Sequence, residues 1–237
     1  MGEGYPNDTA LMEYVSSVNI ACGYHAGDEA TMRMTVKNAI KKGIAIGAHP
    51  GYHDRENFGR RPMTLSVNEI HDIVTDQIVK LRSIAAEERG KLTHVKPHGA
   101  LYNQSAKDAA IAATIAQAVK YIDPDLIVFG LSGSLSISEA EKLGLRTASE
   151  VFADRTYQFD GSLTPRSEPN ALIENKNAAA AQAFRMIANR NVVATDGSTV
   201  AIIADTICIH GDAPDALEFA RVIDRELRRH DINISPV

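Results

Sequence analysis

Four of the chain's histidines stand where a short apolar run gives way to glycine or proline. They occur in Cys22-Gly23-Tyr24-His25-Ala26-Gly27-Asp28, Gly47-Ala48-His49-Pro50-Gly51, Val95-Lys96-Pro97-His98-Gly99 and Cys208-Ile209-His210-Gly211-Asp212. Proline lacks the ladder N–H and glycine suits a tight turn, so each run reads as a strand that ends by aiming a histidine beyond the sheet. Imidazole titrates near neutrality and relays protons, while a lysine or arginine stabilises a developing oxyanion; together these are the groups of a hydrolase. Carboxylates accompany them: Asp28, Glu150, Asp154 and Asp212 could activate water or fix a histidine tautomer. Asp28 reads equally well as a helix N-cap, and Glu150 or Asp154 as a structural partner of Arg146 or Arg155. The candidate site residues are therefore His25, Asp28, His49, Lys96, His98, Glu150, Arg155 and His210.

The same histidines and carboxylates could bind a divalent metal. With no HExxH and no close ligand pair, its ligands would have to be gathered from distant strand tips. Nucleotide binding has no local signal. No GxxxxGK[ST] occurs, and Gly130-Leu131-Ser132-Gly133-Ser134 has no lysine to reach phosphates, so ATP, if used, is handled with another chain.

The elements that must position these groups alternate along the chain. Strand-like runs at Val18–Cys22, Ile44–Ala48, Thr93–Val95, Leu126–Leu131, Arg146–Ala153 and Thr206–Ile209 are separated by helical patterns. Asp8 is expected to cap a helix over Thr9–Ser16 and Asp28 one that stops at Gly43. Ser66 and Glu69 form a capping box for a helix to about Glu88. An Ala-rich helix is expected over Ser105–Tyr121, another from Ser132-Gly133-Ser134 to Gly144, a third over Asn177–Asn189, and a closing one over Ala213–His230. Val192–Ala194 and Val200–Ile203 are short apolar pieces around Asp196-Gly197. The polar segment Asp54–Arg61 is too long and turn-rich for a minimal connection and reads as an exposed or mobile loop over the site, or as a docking surface for a different chain.

Brief strand-helix-strand spacing favours parallel crossovers, and reactive groups at four or five separate strand tips favour a TIM-like (β/α) barrel, which gathers all tips at one mouth, over an open doubly wound sheet. At 237 residues the whole chain, 1–237, fits one such domain. A balance of 25 basic and 30 acidic residues, net −5, without a block of like charge, argues against nucleic acid. No apolar run approaches the ~20 residues of a membrane span, and two isolated cysteines, Cys22 and Cys208, suit a reducing cytoplasm.

Longer motifs surround the histidines: Asn19-Ile20-Ala21-Cys22-Gly23-Tyr24-His25-Ala26-Gly27-Asp28, Ile46-Gly47-Ala48-His49-Pro50, Asp54-Arg55-Glu56-Asn57-Phe58-Gly59-Arg60, Val95-Lys96-Pro97-His98-Gly99-Ala100-Leu101-Tyr102-Asn103, Glu150-Val151-Phe152-Ala153-Asp154-Arg155 and Cys208-Ile209-His210-Gly211-Asp212. In this order they resemble the family of 5-oxoprolinase A subunits, also called LamB/YcsF, over essentially the whole chain. The resemblance implies an irregular (β/α) barrel related to polysaccharide deacetylases. It also implies ATP-dependent opening of 5-oxo-L-proline to L-glutamate with partner subunits B and C. Two rivals are a metal-dependent carbohydrate or amide deacetylase and a non-catalytic member of the complex. Family members usually open with a strand close to Asp-Leu-Asn-x-Asp-x-Gly-Glu, whereas this chain starts inside that motif at Met1-Gly2-Glu3-Gly4. A barrel without its first strand is the expectation, with an edge open to pairing, as in a homo-oligomer.

Overall fold

Strand and helix alternate much as the apolar runs require. The order in the computed structural model is α1 (Asp8–Leu11), β1 (Ser17–Ala21), α2 (Glu29–Lys42), β2 (Ala45–His49), α3 (Val67–Glu87), β3 (Leu92–Val95), α4 (Gly99–Ser105), α5 (Ala109–Ile122) and β4 (Ile127–Leu131). It continues with α6 (Leu135–Lys142), β5 (Thr147–Phe152), α7 (Lys176–Ala188), β6 (Asn191–Val193), β7 (Thr199–Ala201), β8 (Thr206–Cys208) and α8 (Ala216–Arg229). The structure describes residues 1–213 and 215–237; residue 214, at the expected start of the last helix, lies outside them. Among the described residues no helix is long and apolar enough to cross a membrane.

The caps explain why the helices start where they do. Asp28 accepts the Thr31 N–H at 2.8 Å and Gly43 ends α2 in the left-handed region at φ 67°, as a glycine can without strain. Ser66 and Glu69 form the reciprocal box that opens α3. Two expectations fail for local reasons. Asp8 does not cap α1, because its carboxylate takes the Gly2 N–H at 2.6 Å, and the helix covers only Asp8–Leu11. The expected helix over Ser105–Tyr121 is broken at Asp108, whose side chain accepts the Ala110 and Ile111 N–H groups and starts α5 afresh, while α4 ends at Ser105.

The strand order is β1-β2-β3-β4-β5-β8, with β1–β2, β2–β3, β3–β4 and β5–β8 each parallel; β6 and β7 form a separate antiparallel pair around Asp196-Gly197. This is the parallel α/β sheet of the barrel type that the strand tips implied. The chain divides into two compact units. One comprises Met1–Gly130 and Ser134–Ala148; the other comprises Leu131–Gly133 and Ser149–Ser235.

In the first unit Ile20, Ile46 and Val95 from the sheet are buried together with Val36, Ile78, Leu81 and Val119 from the helices. Each such side chain contributes about 1.5–3 kcal/mol by leaving water. Gly47 admits a histidine into this sheet: a Cβ there would stand 2.0 Å from His94 Nε2. The His94 ring instead donates Nε2–H to Asn19 Oδ1 at 3.0 Å and stacks on Phe129 at 4.2 Å. Burial, reinforced by the Lys96 charge, holds His94 neutral, with its pKa down at about 3. In the second unit α7 and α8 pack through Ala180, Ala183, Ile223 and Leu227.

Candidate active site

His25, His49 and His98 meet within the first unit. Parallel register carries His49 to the end of β2 beside Ala21 of β1, and the Lys96-Pro97-His98 segment leaves β3 next to it. The His25 and His98 rings lie parallel with centroids 3.7 Å apart, and His49 stands edge-on to both. Glu3 completes the group, accepting from His25 Nε2 at 3.2 Å and lying 3.8 Å from His98 Nδ1. Its segment is anchored to its surroundings: Asp8 takes the Gly2 N–H, Ala21 N–H donates to the Met1 carbonyl, and the Met1 ammonium donates to the Asn19 carbonyl.

The Asp54–Arg61 segment closes over these rings. Asp54 and Gly59 are buried, whereas Arg55, Glu56, Asn57, Arg60 and Arg61 remain exposed, so the expected exposed loop is met at these five residues but not at Asp54 or Gly59. Phe58 sits edge-on to His25 and His98, at 5.7 and 5.2 Å, in a left-handed conformation with φ 55°. Such a backbone costs a bulky residue about 1–2 kcal/mol. The Gly59 N–H to Asp54 carbonyl bond at 2.7 Å holds it. At Gly59 a Cβ would meet His25 Cβ at 2.8 Å, so only glycine lets the loop approach this closely.

Backbone carbonyls determine the tautomers. His49 Nδ1 must donate to the Lys96 carbonyl at 2.6 Å, and His98 Nε2 to the Phe58 carbonyl at 2.8 Å. The remaining nitrogens, His49 Nε2 and His98 Nδ1, are 3.0 Å apart. In the neutral rings both carry lone pairs. Burial lowers all three histidines; His98 falls to about 3, and the neighbouring His98 and Lys96 charges push His49 further down. Burial alone would raise the Glu3 carboxyl, but the terminal ammonium and the His25 bond outweigh it and hold the pKa at about 2. Two converging lone pairs beside an ionised carboxylate call for a shared proton or a cation between them. The ligand atoms of Glu3, His49 and His98 lie within 4.8 Å of one another, a set suited to a divalent ion.

The other expected residues are placed as follows. Lys96 is buried, with its ammonium 5.6 Å from the Tyr102 ring centre and its carbonyl engaged by His49. Asp28 caps α2 with an exposed carboxylate that its backbone bond from Thr31 N–H holds below the usual range, so its geometry is that of the helix cap. Glu150, Arg155 and His210 belong to the second unit. Glu150 is buried within β5. Arg155 is buried and donates to the carbonyls of Ala171 and Thr164, bracing the irregular segment between them; burial lowers its pKa to about 10. His210 is bonded to Asp154 at 2.7 Å. Glu3 is the residue that reading the strand tips missed. Its signal was present in Gly2-Glu3, the end of the opening family motif, but nothing local tied it to histidines 22 and 95 positions away.

The LamB/YcsF family model matches residues 1–237. The chain belongs to the LamB/YcsF family. It is 52% identical to the 5-oxoprolinase A subunit of Bordetella parapertussis, covering 99% of this chain and 95% of that protein. It is 50% identical to the 5-oxoprolinase A subunit of Oceanobacillus iheyensis, covering 99% and 93%. The crystal structure of a lactam utilization protein from Thermus thermophilus superposes with a TM-score of 0.94 at 40% identity, covering 100% of this chain and 97% of that one. The LamB/YcsF motifs quoted above thus hold the three histidines that converge in the first unit.

Proposed function

We propose that this LamB/YcsF chain is the A subunit of a 5-oxoprolinase, which opens the lactam of 5-oxo-L-proline to L-glutamate. The observation that carries this reading is the approach of His49 Nε2 and His98 Nδ1 to 3.0 Å beside Glu3, in a chain about half identical to proteins named for that role. Lactam opening adds the hydroxyl of water to the carbonyl carbon, breaks the C–N bond and delivers a proton to the ring nitrogen. An unstrained amide resists this, so its oxygen must be phosphorylated or otherwise made electron-poor. ATP serves as co-substrate and is handled with subunits B and C, since this sequence has no phosphate-binding loop. A reaction that draws on ATP belongs in the cytoplasm.

In this reading His49, His98 and Glu3 hold the proton or divalent cation that their lone pairs require. When bound, a divalent ion would supply Lewis-acid polarisation of a substrate oxygen. The chain's own work is to fix both tautomers through the Lys96 and Phe58 carbonyls, to keep bulk water away with Phe58, and to hold His25 against Glu3. Two assays test this. Glutamate release from 5-oxo-L-proline and ATP, in the presence of the partner proteins, must depend on adding this chain. Separately, titration of chelator-treated protein with a divalent cation should raise its melting temperature, and a His49→Ala, His98→Ala double variant should not respond. Release that proceeds equally without the chain removes the lactam role. Absence of any cation response in wild type leaves the shared proton as the occupant.

A further inference from the structure

Packing alone does not call for the buried amide of Gln77. It lies on the inner face of α3 with Ile70, Val74, Ile78 and Leu81, fully shielded from water. Its Oε1 accepts the Gly51 N–H at 3.0 Å, and Nε2 donates to the carbonyls of Gly51 and Ile73, both at 2.8 Å. The acceptor and both hydrogens are thereby engaged, which fixes the orientation of the amide. Gly51 needs this partner because the sheet has ended. β2 stops at His49, and the last main-chain bonds to the segment leaving β3 run from Lys96 N–H to the Ala48 carbonyl and from His98 N–H to the Pro50 carbonyl. Gln77 then serves Gly51 as a neighbouring strand would. Gly51 in turn borders the histidine cluster of the same unit. A Cβ on it would stand 2.9 Å from His25 Nδ1 and 3.3 Å from His98 Cβ, so its backbone lies directly against both residues. It covers His25 Nδ1, which is buried with no hydrogen-bond partner among the described residues. His49 precedes it by two positions, with its own Nδ1 bonded to the Lys96 carbonyl at 2.6 Å. A shift of Gly51 is therefore felt by His25, His49 and His98 together.

We propose that Gln77 is a positioning residue of the Glu3–His49–His98 cluster, acting through the Gly51 backbone without touching a reacting atom. For its effect on turnover this inference rests on the lactam reading above. With Gly51 clamped on both its N–H and its carbonyl, the His49–Gly51 segment is fixed against α3, and His49 Nε2 and His98 Nδ1 are kept at the 3.0 Å from which they share an occupant. Without the amide, two buried main-chain groups lose their partner and the segment moves to recover one. Misplacing the rings costs rate rather than substrate affinity, because the chemical step is assigned to them.

The test compares the full chain with Gln77→Met, which keeps the side-chain length and removes the amide, and with Gln77→Asn, which keeps the amide but retracts it by one methylene and serves should Gln77→Met fail to fold. Ile70→Ala, on the same buried face but with no part in the Gly51 bonds, controls for lost stability. With nitrogen-15-labelled histidine, the His49 Nδ1–H signal, assigned by its absence in His49→Gln, should be protected from solvent exchange in wild type and in Ile70→Ala. It should exchange at least tenfold faster in either Gln77 variant. In the glutamate-release assay with partner proteins, the Gln77 variants should lower kcat by about tenfold to a hundredfold with KM nearly unchanged, and Ile70→Ala should not. A His49 signal indifferent to both Gln77 substitutions, or lost equally in Ile70→Ala, overturns the positioning role. Normal kcat in a folded Gln77 variant, with wild type active, overturns its bearing on turnover. Failure of wild type itself to release glutamate strikes the lactam reading instead, leaving Gln77 to be judged by the His49 signal.

Discussion

Acid should unfold this protein partly through His94, and the size of the effect follows from its surroundings. The ring is fully buried between Asn19 and Phe129, and its pKa falls from 6.5 to about 3. A histidine depressed in the folded state is protonated first in the unfolded chain, so its contribution to stability is present above pH 6.5 and is lost as pH falls toward 3. At about pH 5 the unfolded imidazole is protonated roughly thirty to one while the folded one is neutral, which removes about 2 kcal/mol; at about pH 4 the loss is somewhat over ~3 kcal/mol. His25, His49 and His98 shift in the same direction and steepen the slope. His94→Phe keeps the stack and removes one titrating group. It also leaves Asn19 Oδ1 without its donor, an offset of about 1–3 kcal/mol that does not change with pH in this range. Urea unfolding of both proteins at about pH 7 and pH 5 separates the two effects. The variant should be less stable at neutral pH but lose about 2 kcal/mol less than wild type on acidification. Parallel losses would refute the claim that His94 is buried neutral.

Further outcomes follow from single contacts. Gly47→Ala places a methyl 2.0 Å from His94 Nε2 and should cost about 3 kcal/mol or more, read as a lower urea midpoint; a midpoint within experimental error of wild type contradicts the packing of that ring. Glu3→Gln removes the one carboxylate of the Glu3–His49–His98 set and should weaken divalent-cation binding by about tenfold or more in calorimetry, with unchanged affinity excluding Glu3 as a ligand. Ser66→Ala dismantles the capping box of α3 and should lower stability by about 1 kcal/mol without touching glutamate release; a larger loss of turnover than of stability would tie that helix end to the site.

Much of this was legible in the sequence because it is local. Asp28 with Gly43, and Ser66 with Glu69, specify helix ends through contacts within a few residues, and the structure places them accordingly. The tip histidines were legible as a set because glycine and proline mark where strands stop. What stayed hidden depends on competition or distance. Asp8 had two available N–H partners, and Gly2 won over the helix end. Asp108 lay inside an Ala-rich run whose periodicity masked the break. Glu3 joins His25 and His98 only through the fold, as does the pairing of Asp154 with His210 across β5 and β8. Tautomers were also out of reach, since they are set by the Lys96 and Phe58 carbonyls rather than by any side chain in the motifs.

The most direct measurement is glutamate formation from 5-oxo-L-proline and ATP by the chain with its partner proteins, comparing wild type with His98→Ala shown to be folded by its melting curve. His98 touches His49, Phe58 and His25 and lies beside Glu3, so its loss dissolves the cluster to which the lactam chemistry is assigned. Turnover should fall by about a hundredfold or more. Wild-type turnover in the folded variant would show that the cluster is not the site.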